Sequence, residues 1–206
     1  MKQQIKRYLE NLPSEFKPVV EQATKYYSFD DKADIREDGA IQIFNRTWIA
    51  PENYGLLLYP PADGKLIDAF EKQNRLKTPK SYRNILSRMN GGFIYDFALY
   101  GIPKSMYSTG LLDRSRLNQF DLGTANDFWK YEYETNVNSL FHIGSRAYSD
   151  NENIGYFIDS DDRISSLRKN GEKLKTWMNF EDFFSEEVIA AENMMTKEIP
   201  KNFARK

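Results

Sequence analysis

The stretch "PKSYRNILSRMNGGF", residues 79–93, reads as a helix that opens at a proline and is halted by two glycines. Tyr82, Ile85, Leu86 and Met89 recur at helical spacing and form one apolar stripe, while Arg83, Asn84, Ser87 and Arg88 fall on the watered side. Pro79 suits the first helical position, where its missing N–H costs nothing, and Thr78 is placed to cap. Gly91 suits the left-handed conformation that ends a helix, where a β-carbon is penalised. The following "FIYDFALYG" reads as one strand, with Phe93, Tyr95, Phe97 and Leu99 on one side and Ile94, Ala98 and Tyr100 on the other. A helix laid on a sheet is the expectation.

Working outward, Ile5, Tyr8, Leu9 and Leu12 mark a first helix that Pro13 ends. A second, from about Pro18 to Tyr27, points Val19, Val20, Ala23 and Tyr27 inward. "AIQIFNRTWIA" reads as a strand or two, "YPPADG" as a loop, and "KLIDAFEKQNR" as a helix burying Leu66, Ile67 and Phe70. Residues 101–123 carry turn residues and little periodicity, so loops and one short strand are expected there. Thr124 is placed to cap a helix over "ANDFWKYEYE". "LFHIGSRAY" and "NIGYFI" read as strands, and Asn170-Gly171 predicts a type I′ hairpin that pairs Leu167 with Leu174 and Lys169 with Glu172. Ile164 would then pair with Trp177 on the other face, so that hairpin is either buried on both sides or bulged. Asn179 caps a last helix burying Phe180, Phe183, Phe184, Val188, Ala191 and Met195, and the tail 197–206 is expected to fray. This order of elements predicts an α+β fold, a mainly antiparallel sheet flanked by helices, in a single domain.

Composition narrows the chemistry. The chain has 206 residues, 29 basic and 30 acidic side chains, one histidine and no cysteine. Disulfides, thiol nucleophiles and cysteine-ligated metals are therefore excluded. With a formal charge of −1 and both signs mixed along the chain, there is no electrostatic footprint for direct nucleic-acid binding. No apolar run is long enough for a membrane span or a signal peptide, and a cytoplasmic location is expected. No phosphate loop, dinucleotide fingerprint or serine elbow is present. His142 alone does not make a catalytic site, and "DSDD" at 159–162 lacks the glycine and closing glutamate of a calcium loop. The reading is a protein without catalytic, metal or cofactor residues, although a pair of carboxylates leaves no spacing signature by which to exclude an enzyme.

Four segments, "LIDAFEKQNRLKTPKSYRNILSRMNGGFIYDFALYG", "DLGTANDFWKYEYE", "LFHIGSRAYSDNENIGYFID" and "TWMNFEDFFSEEV", taken in this order, resemble the SUKH superfamily and its Smi/Knr branch. The resemblance spans residues 59–190 and implies the α+β SUKH fold. Residues 1–58 are then an extension expected to pack on that core. Bacterial members are implied to be immunity proteins that bind and neutralise a cognate protein toxin of a polymorphic or contact-dependent system, often a nuclease. The alternative it implies is a non-catalytic regulatory module of the cell-wall synthesis type. For an inhibitor, acids on turns would speed encounter with a basic toxin. The candidates are Tyr131, Glu132, Tyr133 and Glu134 near the end of the "ANDFWKYEYE" helix, and Asp150, Glu152, Asp159, Asp161 and Asp162 in turns.

Overall fold

Nine strands run side by side in chain order, every neighbouring pair antiparallel, in a computed structural model that describes residues 1–27, 33–49, 53–103, 121–135, 139–149 and 152–199. The strands are β1 (Asp34–Ile35), β2 (Ile41–Asn45), β3 (Tyr54–Leu58), β4 (Gly92–Ile94), β5 (Phe97–Leu99), β6 (Phe141–Ser149), β7 (Glu152–Ile158), β8 (Ile164–Leu167) and β9 (Lys173–Trp177). The helices are α1 (Gln3–Glu10), α2 (Lys17–Tyr27), α3 (Gly64–Asn74), α4 (Lys80–Leu86), α5 (Leu122–Glu132) and α6 (Phe180–Glu198). The fold is α+β, with an antiparallel sheet flanked by helices.

The stop after α4 is built as its sequence predicts, with one difference at the start. Tyr82, Ile85, Leu86 and Met89 are all buried, and Gly91 adopts φ +76°. Helix α4 begins at Lys80, so Pro79 sits outside the first turn, and no side chain caps it. A β-carbon on Gly91 would lie 2.7 Å from both the Gly101 nitrogen and the Leu99 carbonyl oxygen. Beside it, the buried Asn90 amide donates to the Ile102 carbonyl and accepts from the Ile102 N–H, both at 2.8 Å. This side chain imitates one rung of a strand, and the crowding around Gly91 brings the backbone of 91 and 99–101 together.

"FIYDFALYG" is not one strand. The chain reverses at Tyr95-Asp96, and Ile94 pairs with Phe97 across a two-residue turn. Tyr95 takes φ +55°, a conformation that turn sequences normally give to glycine or asparagine. Tertiary contacts hold it there: its hydroxyl donates to the buried Gln22 Oε1 at 2.7 Å, and its ring packs edge-on against Tyr26. Helix α2 is accordingly rotated from its predicted setting, with Gln22 and Tyr26 inward and Val20 and Tyr27 only half-buried. β3 was missed in the sequence because "YGLLL" has no alternation; its residues pair on both sides, with β2 and β4.

The β8–β9 hairpin is bulged; β8 is buried on both sides, whereas β9 is mostly exposed and buries only Trp177. Gly171 alone carries positive φ, +81°, its N–H bonds to the Arg168 carbonyl, and the Arg168 N–H bonds to the Glu172 carbonyl. This is a type I turn closed by a glycine bulge, so Arg168, and not Lys169, stands opposite Glu172. Leu167 pairs with Lys173, the register slips at Leu174, and Ile164 meets Trp177. Helix α5 starts earlier than expected: Asp121 caps it, accepting from the Gly123 N–H, with the Thr124 hydroxyl turned towards the same carboxylate. The last helix matches its prediction from the Asn179 cap to Met195, with Glu187 as one unforeseen buried charge.

One large apolar cluster joins α1, α2, α4 and α6 to the sheet; Phe16 in a 3-10 turn (Ser14–Phe16) packs against Phe180 and Phe184. A separate small cluster of Trp129, Tyr133, Phe157 and Leu167 lies under α5 on the opposite face. Across the α6 side, Arg146 Nε donates to Glu187 at 2.6 Å and lies 3.1 Å from the Tyr156 hydroxyl, which also bonds Glu187. Burial works against charge on Arg146, and Glu187 and Tyr156 more than offset it, so its pKa lies above the usual value.

Because β3 hydrogen-bonds β4 and the 3-10 turn rests on α6, we propose that residues 1–58 fold with the rest as one cooperative unit. Urea unfolding followed by tryptophan fluorescence and by circular dichroism should then give coincident transitions. Gly91→Val should cost about 3 kcal/mol or more, since left-handed strain and backbone overlap act together; an unchanged urea midpoint would contradict the clamp.

Candidate functional site

Helix α5 is fastened to the sheet by the same device that fastens α4. The buried Asn126 amide donates to the His142 carbonyl and accepts from the His142 N–H, both at 2.9 Å. The helix then ends at Trp129 and Tyr133, which drop onto the sheet. Tyr133 fits because residue 155 is glycine: a β-carbon there would lie 2.6 Å from the Tyr133 hydroxyl oxygen. The Glu134 N–H donates to the Lys169 carbonyl at 2.7 Å, and Gly171 packs against the Glu134 carbonyl so closely that a β-carbon would overlap it. Thus the end of α5 and the β8–β9 turn form one wall.

Between that wall and the β4–β5 hairpin, the α5 side of the sheet is left open. A hollow of about 390 Å³ has a floor of Phe93, Ala98 and Ser145 and walls that include Asp96, Glu132, Tyr133 and Lys169. It runs on into a second hollow of about 550 Å³ that shares Asp96, Ala147, Asn153 and Lys169 and reaches Glu152, Met194 and Glu198. Among the described residues, four carboxylates, Asp96, Glu132, Glu152 and Glu198, line a continuous groove together with the exposed Lys169, and Asp96 lies 3.9 Å from the buried Arg46 guanidinium. Arg146 also borders it, but its guanidinium is engaged by Glu187. A third hollow, of about 270 Å³, lies between α5 and the sheet and shares Tyr100 and Glu132 with the first.

The predicted site residues separate into two groups. Glu132 and Glu152 line the groove, Tyr131 is 86% exposed on α5, and the Glu134 side chain is exposed beside Lys169. Glu152 holds Arg168 by two bonds of 2.7 Å, and this pairing keeps its carboxyl below the usual range. Tyr133 is a correction: it is 5% exposed, edge-on to Phe157 and His142, because residues 129 and 133 lie one turn apart on the buried side. Asp159, Asp161 and Asp162 occupy the turn at the other end of β7, about 20 Å from Glu152 by strand rise. There Asp159 accepts from the N–H groups of Asp161 and Arg163 and from the Arg163 side chain. Partial burial would raise its pKa, but these donors win and lower it. Asp161 pairs with Arg163, and Asp162, at φ +60°, accepts from the Ser81 hydroxyl. This turn is internally engaged. Asp150 lies outside the described residues, as does the tail from residue 200.

Sequence reasoning missed Asp96, Lys169, Glu198 and Phe128. Phe128 carried a usable signal: with Trp129 and Tyr133 inward, Phe128, Tyr131 and Glu132 must point out, and Phe128 is 56% exposed with its ring 6.5 Å from that of Tyr131. Asp96 carried none, since it reaches the rim through an unforeseen turn. Among the described residues no group of three or more histidines and acids is placed to hold a metal ion, and no helix is long and apolar enough to cross a membrane.

A model of the SMI1 / KNR4 family (SUKH-1) matches residues 61–186, from just before α3 into α6. The chain belongs to this family. No curated protein matches it. The match leaves α1, α2 and β1–β3 outside, although they share the main core.

His142 borders this site and makes the fold acid-sensitive. Its ring is stacked on Phe157 at 4.4 Å, and burial pushes its pKa down to about 3. The unfolded ring takes a proton near 6.5. Between these values the unfolded state binds the extra proton, so acidification favours unfolding. From pH 7 to pH 5 this amounts to about 2 kcal/mol. His142→Phe should therefore flatten the fall in urea-unfolding stability over that interval; a slope equal to the parent's would show that the ring is protonated in the folded chain.

Proposed function

We propose that this chain is an immunity protein: it binds and neutralises a cognate bacterial protein toxin, a nuclease in the first instance, delivered by a polymorphic or contact-dependent system. The observation that carries the reading is the acid-lined groove, framed by Asp96, Glu132, Glu152 and Glu198, on a SUKH-1 scaffold. A nuclease must present a basic surface to its substrate's phosphates. An inhibitor that covers such a surface needs a rigid platform and opposite charge, and no reactive group. Here the platform is the sheet, with its acids held at the ends of ordered elements. The interface would centre on the groove and the outer face of α5, with Tyr131, Glu132, Glu134 and Glu152 from the sequence candidates joined by Asp96 and Phe128. Binding would take place in the cytoplasm, directly on the toxin and without nucleic acid or membrane.

Co-expression with a candidate toxin domain, sought first among the neighbouring genes, tests the reading. Cells that otherwise die should survive; undiminished killing, with the chain soluble and folded, would overturn it and favour a regulatory partner of the cell itself. Asp96→Asn combined with Glu132→Gln should slow association about tenfold at low salt and flatten its salt dependence. Asp161→Asn, at the other end of β7, should leave the association rate unchanged. Stopped-flow mixing with the toxin domain reads both.

A further inference from the structure

The charges along the groove are of two kinds. Some already face an opposite charge within the chain: Arg168 takes Glu152 by two bonds of 2.7 Å and Glu172 at 3.0 Å, Arg146 takes Glu187 at 2.6 Å, and Asp96 stands 3.9 Å from the Arg46 guanidinium. Two others remain open. Lys169 and Glu132 both border the first hollow and both are exposed, yet among the described residues neither side chain makes an ion pair, with the other or with any neighbour. Lys169 also borders the second hollow, so it stands where the two meet. The turn that carries it is held: its carbonyl accepts from the Glu134 N–H at 2.7 Å, and the Arg168 and Gly171 N–H groups close the hairpin at 2.9 Å each. The fold therefore sets the position of Lys169, although its side chain is wet.

Water solvates the Lys169 ammonium in the free chain. Covering the groove removes that water, and an ammonium buried without a counter-charge is strongly destabilising. Glu152 and Arg146 can be covered as they stand, since each has its own partner; Lys169 and Glu132 cannot. A surface that is basic throughout would satisfy Glu132 and be repelled at Lys169. We infer that Lys169 determines the specificity of the groove: it selects a partner segment in which a carboxylate lies beside the base that meets Glu132. The inference rests on the proposed covering of this groove by a basic toxin, and it names the acid which that toxin brings to Lys169. The overall charge of the groove speeds encounter, whereas this mixed pair decides which basic surface stays bound.

Short peptides test this on the full chain by itself. Each has capped ends and carries one arginine and one aspartate separated by one to four alanines, and each is paired with a counterpart that has asparagine for aspartate. Titration followed by amide proton–nitrogen correlation should give, for at least one spacing, a saturable shift at Lys169 and Glu132 that is about fivefold tighter with aspartate than with asparagine. Lys169→Met should abolish this preference, and Glu132→Gln should weaken binding of both peptides; both positions are exposed, so neither substitution disturbs the core. No preference at any spacing, a preference kept in Lys169→Met, or an equal response to free acetate would each overturn the inference. With a neutralised toxin domain, Lys169→Glu should speed association and yet shorten the lifetime of the complex about tenfold; a longer lifetime would overturn it as well. Failure of the Lys169 results would leave survival in co-expression, and with it the immunity reading, standing on its own, and loss of survival would leave the peptide result unaltered.

Discussion

The structure hangs on the clamp at Asn90-Gly91. One buried amide reproduces the hydrogen bonds of a strand, and one residue without a β-carbon lets two stretches of backbone touch, so α4 and the β4–β5 hairpin are fixed to each other. Tyr82 extends the clamp, its hydroxyl lying 2.6 Å from the Tyr100 carbonyl and 3.1 Å from that of Ile143. From that point the hairpin lies between β3 and β6, closes the centre of the sheet, and carries Asp96 to the rim of the groove. Asn126 repeats the device for α5. In both places a helix is docked by a side chain that satisfies backbone groups which would otherwise be buried without partners.

The two faces of the sheet are built for different ends. One is sealed by α6, where a chain of edge-on rings, Phe97, Tyr156, Trp177 and Phe183, surrounds the buried Arg146–Glu187 pair. Among the described residues the other is covered by α5, whose Trp129 and Tyr133 pack on Phe157 and Leu167 of the sheet, and Phe93, Ala98 and Ser145 form the floor of the groove. A small cluster covers little area, and the uncovered remainder is where polar and acidic groups can remain wet. Membership of the SUKH-1 family and this asymmetric covering together support a protein that works through its exterior.

Much of the fold was legible where the signal was local. The stripe of α4, the left-handed Gly91 and the whole buried face of α6 follow from side-chain spacing and from the cost of a β-carbon at positive φ. The strands β6 and β7 were legible for the same reason. The turn at Tyr95-Asp96 was not, because its positive φ is sustained by Gln22, 73 positions earlier. The Asn170-Gly171 turn was located but misread, since one positive-φ residue and a bulge satisfy that dipeptide as well as two do.

By itself the sequence determined the class of fold, the family and the exclusion of cysteine chemistry, because these depend on composition and on patterns spanning a few residues. Tertiary structure alone decided which acids stand together: it turned Tyr133 inward, engaged Asp159 in its own turn, and gathered Asp96, Glu132, Glu152 and Glu198 along one groove. The physical reason is that a groove is the space left between elements far apart in the chain. Strand register and helix docking set its lining, and no short stretch of residues encodes either.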